Sequence, residues 1–173
     1  MPFERPWHAS YSPGVPPEIE IRKITMAEAL SNTARKYPNE VAYIYMGKKI
    51  TYRDLEGLVN RFARALKALG VRRGDKVAML LPNIPQVAIA DHACYRLGAV
   101  TAMNNPLYTE RELRHLFEDH SARVAICWDA AASKLRAMPG DVAPQHVVSV
   151  NLLKAFPRLK RLALQLPVAK LRP

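Results

Sequence analysis

Between Thr51 and Val150, short apolar runs alternate with amphipathic stretches, most of which open on a capping residue. That alternation constrains the fold more than any other feature. A helix between two strands returns the chain to run in the same direction, so the strands form a parallel sheet with helices on its faces. The longest stretch shows the pattern. Thr51 caps it, Tyr52, Leu55, Leu58, Val59, Phe62, Leu66 and Leu69 recur at three and four, and Gly70 stands where a C-terminal glycine belongs. Lys76 to Leu81 then reads as a buried strand. Asn83-Ile84-Pro85-Gln86 opens a helix with Asn83 as its cap, Gly98 stops it, and Ala99 to Ala102 is the next strand. Thr109-Glu110-Arg111-Glu112 is a capping box for a helix ending near His120. Val124 to Cys127 reads as a strand, Asp129 to Met138 as a helical segment and His146 to Val150 as the last strand. Upstream, Thr25-Met26-Ala27-Glu28 opens a helix that Pro38 closes. Val41 to Met46 pairs with Ile50 across a Gly47-Lys48-Lys49 turn. The fold class is α/β, an open, mostly parallel sheet flanked by helices.

Three regions follow. Residues 1–20 carry Pro2, Phe3, Pro6, Trp7, Tyr11, Pro13, Pro16 and Pro17, which predicts an extended arm. Its aromatics are costly in water, so the arm is expected to lie along the body or a partner, such as the second subunit of a homodimer. Residues 21–150 form the α/β subdomain. Residues 151–173 form a basic amphipathic segment, and they hold the charge imbalance. The chain of 173 residues has a net charge of +11. Six of its 26 basic residues lie in that segment with no acidic one, leaving 20 against 15 elsewhere. Pro157 can start a short helix there and Pro167 must end it. Leu159, Leu162, Ala163 and Leu166 share one face; Arg158, Arg161 and Gln165 oppose them, Lys160 flanks, and Leu164 interrupts the polar side. This is the pattern of an interfacial helix. Lys154, Arg158, Lys160 and Arg161 become candidate contacts to an anionic membrane surface. The competing reading packs the leucines on protein. Aromatics do not interleave with these cations, so nucleic acid is not expected.

Residue chemistry offers little else. Gly70-Val71-Arg72-Arg73-Gly74-Asp75-Lys76 has two glycines and a lysine, but it follows a helix and precedes a strand. A phosphate loop needs the reverse order, with a helix N-terminus aimed at the anion. The stretch reads as a helix cap and a surface turn. His115 and His120 fall on different sides of their helix and cannot share a metal. His115 with Asp119 reads as solvated surface, and His92 as a packed, hydrogen-bonded core residue. Cys94 and Cys127 show neither metal nor redox spacing, which fits a reducing cytoplasm. No run reaches transmembrane length.

The order of the pieces carries a resemblance. Thr51-Tyr52 with Leu55, Gly70-Val71, Gly74-Asp75-Lys76-Val77, Leu81-Pro82-Asn83, Gly98-Ala99-Val100, Asn105-Pro106-Leu107-Tyr108-Thr109 and Glu112-Leu113 follow one another over about eighty residues. In that order they resemble the first part of the AMP-forming, adenylate-forming ligases. Trp7 to Glu20 resembles the arm before this domain in long-chain fatty acyl-CoA synthetases. The resemblance implies the first sheet subdomain of an enzyme's N-terminal domain. It also implies a parent activity that uses ATP and Mg²⁺ to make an acyl-adenylate from a long-chain fatty acid and then transfers the acyl group to CoA. The family's Ser/Thr/Gly-rich phosphate loop, Tyr-Gly-x-Thr-Glu segment, ribose-binding aspartate and C-terminal lysine come later and do not occur here. The chain alone is therefore expected to bind no cofactor, to hold no catalytic residue and to be inactive. By position, Lys134 and Arg136 correspond to basic residues that contact CoA phosphates in some relatives. The implied location is cytoplasmic, peripheral on the inner face of the membrane. The alternative function is a stand-alone module that binds a membrane surface or nucleic acid through the basic segment. A reading frame continuing past Pro173 into a Ser/Thr/Gly-rich loop would discriminate the two.

Overall fold

The computed structural model describes residues 5–157 and residues 160, 162 and 164. Its elements are α1 (Met26–Lys36), β1 (Val41–Tyr45), β2 (Lys48–Thr51), α2 (Tyr52–Ala68), β3 (Lys76–Leu80), α3 (Pro85–Leu97), β4 (Val100–Met103), α4 (Glu110–His120), β5 (Val124–Trp128), α5 (Ala132–Arg136) and β6 (His146–Val150). The four later strands form one sheet in the order β4-β3-β5-β6. Every pairing in it is parallel. β1 and β2 form a separate antiparallel hairpin.

Strand alternation divides the interior into two cores. Val77 and Met79 of β3, with Val124 and Ile126 of β5, face the side covered by α1, α2 and α3. Ala78, Leu80, Ala125 and Cys127 face the other side, where Leu113 and Phe117 of α4 and Leu135 of α5 close over them. β3 and β5 are buried on both faces, which is why they read as continuous apolar runs. Each fully buried leucine or phenylalanine stabilises by roughly 1.5–3 kcal/mol.

The helix starts follow the threonines. Thr25, Thr51 and Thr109 each accept from the backbone N–H three residues on, and Glu28, Asp54 and Glu112 reach back to complete reciprocal boxes. α3 differs from expectation. Its cap is Ile84, at φ −125 and without a side-chain bond, rather than Asn83. Pro85 occupies the first helical position, where no N–H needs an acceptor. Gln86, which could have reached back to the cap, instead leaves its Oε1 buried without a partner. Gly70 and Gly98 turn the chain at φ +87 and +67. The hairpin turn is Met46-Gly47, both at positive φ, so Lys48 and Lys49 belong to β2.

The two ends of the chain depart from the sequence reading in opposite ways. Pro6–Ser10 is a turn of 3-10 helix rather than extended chain, with Pro6 at its first position. The arm does not lie buried along the body: Trp7, Tyr11, Val15, Ile19 and Ile21 stay exposed. After β6 the chain keeps packing. Leu152 joins the α1–α3 core, Ala155 is buried, and Phe156 meets the Tyr45 ring edge-on at 5.8 Å. Of the basic segment, Lys160, Leu162 and Leu164 are helical. Arg158, Arg161 and the remaining residues of that segment beyond Pro157 lie outside the described residues.

Candidate functional site

The sheet order sets where a site belongs. From β3 the chain moves outward through α3 to β4, then returns over β3 through α4 to reach β5 on its other flank. Loops leaving the carboxyl ends of β3 and β5 therefore diverge, and that crevice is where ligands bind in open parallel sheets. The polar residues along this rim serve their own turns. Asn104 is buried and donates from Nδ2 to the Ala102 carbonyl at 2.9 Å, while its backbone N–H reaches the Met79 carbonyl. Asn105 Oδ1 accepts from Leu107 N–H. Asp129 accepts from Ala130 N–H and, at 3.3 Å, from Asn151 Nδ2. Among the described residues, no glycine-rich loop opens here onto a helix N-terminus.

Beside the rim, between the start of α4 and α5, lies a basic depression of about 330 Å³ lined by Glu110, Arg111, Arg114, Lys134 and the Ala137–Pro139 turn. Arg111 and Arg114 are three apart and share one face of α4. Lys134 is half-buried and its Nζ donates to the Tyr108 carbonyl at 3.4 Å, tying α5 to the loop ahead of α4. Arg114 Nε donates to Glu118 at 2.8 Å, and that bond holds the guanidinium more firmly protonated. Arg136 does not join them. It is exposed, two residues beyond Lys134, about 200° around the helix. Its charge lies near Cys127, whose thiol burial pushes up to about 11 despite it. The depression thus keeps Lys134, leaves out Arg136, and adds Arg111 and Arg114. Their three-residue spacing on a capped helix was the available signal.

The Gly70–Lys76 stretch lines a different cavity, of about 230 Å³, at the amino ends of β3, β5 and β6. Asp75 accepts from Arg72 N–H at 2.8 Å, and Gly74 N–H donates to the Gly98 carbonyl at 2.9 Å. The stretch is a satisfied turn below a helix C-terminus. α2 and α4 both end here, and their carbonyl dipoles favour the cations Lys76 and Arg123 over a bound phosphate. His120 also lines this cavity; it is buried, its Nδ1 accepts from Ala122 N–H, and its ring packs on Phe117 at 4.6 Å. His115 is exposed. His92 packs edge-on to Tyr95, but its Nδ1 is buried with no hydrogen-bond partner, so the expected bond at that atom is not made. Burial pushes the Cys94 thiol up to about 12, which makes it inert as a nucleophile. Among the described residues no three His, Cys, Asp or Glu side chains gather as a metal site. No helix is long and apolar enough to cross a membrane among them either.

Comparison with known proteins converges on one family. The family model described as AMP-binding enzyme matches residues 30–168. A long-chain-fatty-acid–CoA ligase of Bacillus subtilis is 33% identical over 129 residues, covering 75% of this chain and 23% of that one. An acetyl-coenzyme A synthetase of Magnetococcus marinus is 39% identical over 110 residues, 60% of this chain and 17% of its own length. The inhibitor-bound N-terminal domain of FACL13 from Mycobacterium tuberculosis superposes with a TM-score of 0.68 at 25% identity, over 80% of this chain and 35% of that one. The chain thus spans about a quarter or less of the length of these curated relatives. The four-stranded parallel sheet between helices is the fold these enzymes use in their N-terminal domain, and the chain belongs to the AMP-binding enzyme family of adenylate-forming ligases.

Proposed function

We propose that this chain is the first sheet subdomain of a ligase that activates a long-chain fatty acid with ATP and Mg²⁺ and transfers the acyl group from the adenylate to CoA. The observation that carries the reading is the run of ordered motifs from Thr51 to Leu113, within the region matched to long-chain-fatty-acid–CoA ligases. A carboxylate is a poor electrophile with a poor leaving group, so activation as a mixed anhydride with AMP precedes attack by the thiol. The acetyl-coenzyme A synthetase match supports the same chemistry on a short acid, so chain length is the open choice. In the protein that contains this subdomain, ATP–pyrophosphate exchange driven by palmitate and not by acetate supports the reading. Exchange driven by acetate alone overturns it.

Within that reading the basic depression on α4 and α5 takes the phosphates of CoA. Lys134 supplies a point charge fixed by Tyr108, and Arg111 and Arg114 flank it. Arg111→Ala and Lys134→Ala should each raise the KM for CoA several-fold and leave that for ATP unchanged. Arg136→Ala should leave both unchanged. The segment after β6, through Lys154, Arg158, Lys160 and Arg161, would hold the enzyme at an anionic membrane surface, where a long-chain acid resides.

A further inference from the structure

The hairpin and the chain that follows β6 converge on one face of the molecule. Lys160 Nζ donates to the Met46 carbonyl at 3.0 Å, which anchors that chain at the hairpin turn. The strand register sorts the hairpin's two faces. Tyr43 lies opposite Ile50 and Tyr45 opposite Lys48; on this side Ile50 is buried and Tyr45 packs on the core, while Tyr43 and Lys48 stay exposed. Ile44 lies opposite Lys49 on the outward side. There Ile44 is 67% exposed and Met46, at the turn, 50%. Leu162 and Leu164, just beyond Lys160, are 62% and 55% exposed. Lys48, Lys49, Arg53 and Arg61 line the adjoining depression, whose acid, Asp54, is engaged by the hydroxyl of Thr51.

We propose that this face docks onto an anionic lipid surface, with Ile44 and Met46 of the hairpin tip entering the headgroup boundary and Lys48, Lys49 and Lys160 meeting lipid phosphates. The arrangement favours a bilayer over a protein partner. Protein interfaces are depleted in lysine at their centre, whereas here lysines surround the apolar tips. Apolar residues reaching past a ring of flexible amines match the layering of acyl region and headgroups. The proposal shares the lipid surface with the membrane reading of the segment after β6, but it assigns insertion to the hairpin. It does not depend on ligase chemistry.

The test is co-sedimentation of the full 173-residue chain with vesicles of phosphatidylglycerol and phosphatidylcholine, and with phosphatidylcholine alone. Wild type should bind the anionic vesicles at low salt, be released by 0.5 M NaCl (about a 4 Å screening length) and ignore the neutral ones. Ile44→Ser with Met46→Ser should lower the partition coefficient at least roughly fivefold, and so should Lys48→Glu with Lys49→Glu. These side chains are exposed, so unchanged melting curves would certify the fold. Anionic binding that both hairpin variants retain within about twofold would overturn the hairpin's role while leaving that of the downstream segment standing. No binding by wild type, or equal binding to neutral vesicles, would overturn both.

Discussion

Gly98 ends α3 at φ +67, and a Cβ built there would lie 3.0 Å from Cγ of Arg73. Two penalties would add on substitution: the left-handed backbone, worth about 1–2 kcal/mol for an L-residue, and displacement of a side chain. Gly74, at φ +85 with nothing within 4 Å of the added carbon, carries only the first. Gly74→Ala should therefore lower stability by about 1–2 kcal/mol and Gly98→Ala by more, as urea midpoints would show. A loss at Gly74 as large as that at Gly98 would contradict this account. The histidines make a second prediction. Burial lowers the pKa of His120, Asp119 opposes the shift and Lys76 assists it. The unfolded chain then takes the proton first, so the stabilisation is complete above the ordinary histidine value near 6.5 and is lost as pH falls through the folded value. Protonation also converts Nδ1 from acceptor to donor and breaks the bond from Ala122 N–H. His120→Asn keeps an acceptor and removes the titration. Its urea midpoint should fall less than that of wild type between pH 7.5 and 5.5. Burial lowers the pKa of His92 as well, so some dependence should remain. Equal slopes for variant and wild type would refute the assignment.

Three helices on one side of the sheet are joined by a polar knot. Arg96 of α3 donates to Glu56 of α2 at 2.8 Å and to the Ser31 hydroxyl of α1 at 3.1 Å, and Ser31 donates to the other carboxylate oxygen of Glu56 at 3.0 Å. The charged side chains are 24% and 22% exposed, between the surface and buried limits. Arg96→Leu strands Glu56 and should cost about 2 kcal/mol, between the ~0–1 of exposed pairs and the 3–5 of broken buried ones. Adding Glu56→Leu should restore part of it. A double variant less stable than Arg96→Leu alone would refute the stranded-charge account. Nothing in the local sequence announced this knot, because its members are 25 to 65 residues apart. The same limit hid the depression on α4 and α5, since Arg111 and Lys134 meet only after the chain folds. The strands, the three capping boxes and the glycine stops were legible because each is settled within a few residues. Asn83 was misread for a local reason too: Pro85 starts α3 without requiring a capping side chain, so the nearest asparagine was not needed. The arm is a different case. Its aromatics argued for burial against the body or a partner, a surface that lies beyond local pattern, and the described body leaves Trp7 and Tyr11 exposed.

At the scale of the molecule, the fold presents a switch-point rim whose polar groups are engaged with their own loops. Adenylation requires donors gathered around a triphosphate, a divalent cation between its oxygens and a carboxylate held in line with the α-phosphorus. The rim offers Asn104, Asn105 and Asp129, and each holds a neighbouring backbone or side-chain group. The cations that do gather, Arg111, Arg114 and Lys134, sit on the flank between α4 and α5. Among the described residues, two cores and a four-stranded parallel sheet form a scaffold around this rim. The purified 173-residue chain should therefore show no fatty-acid-dependent ATP–pyrophosphate exchange above a heat-killed control, at any Mg²⁺ concentration, while giving a cooperative melting curve. Exchange above that control would mean that the chain assembles a nucleotide site from these residues. A featureless melt would mean that the sheet needs further protein to fold, and either result would overturn the picture of a stable, inactive scaffold.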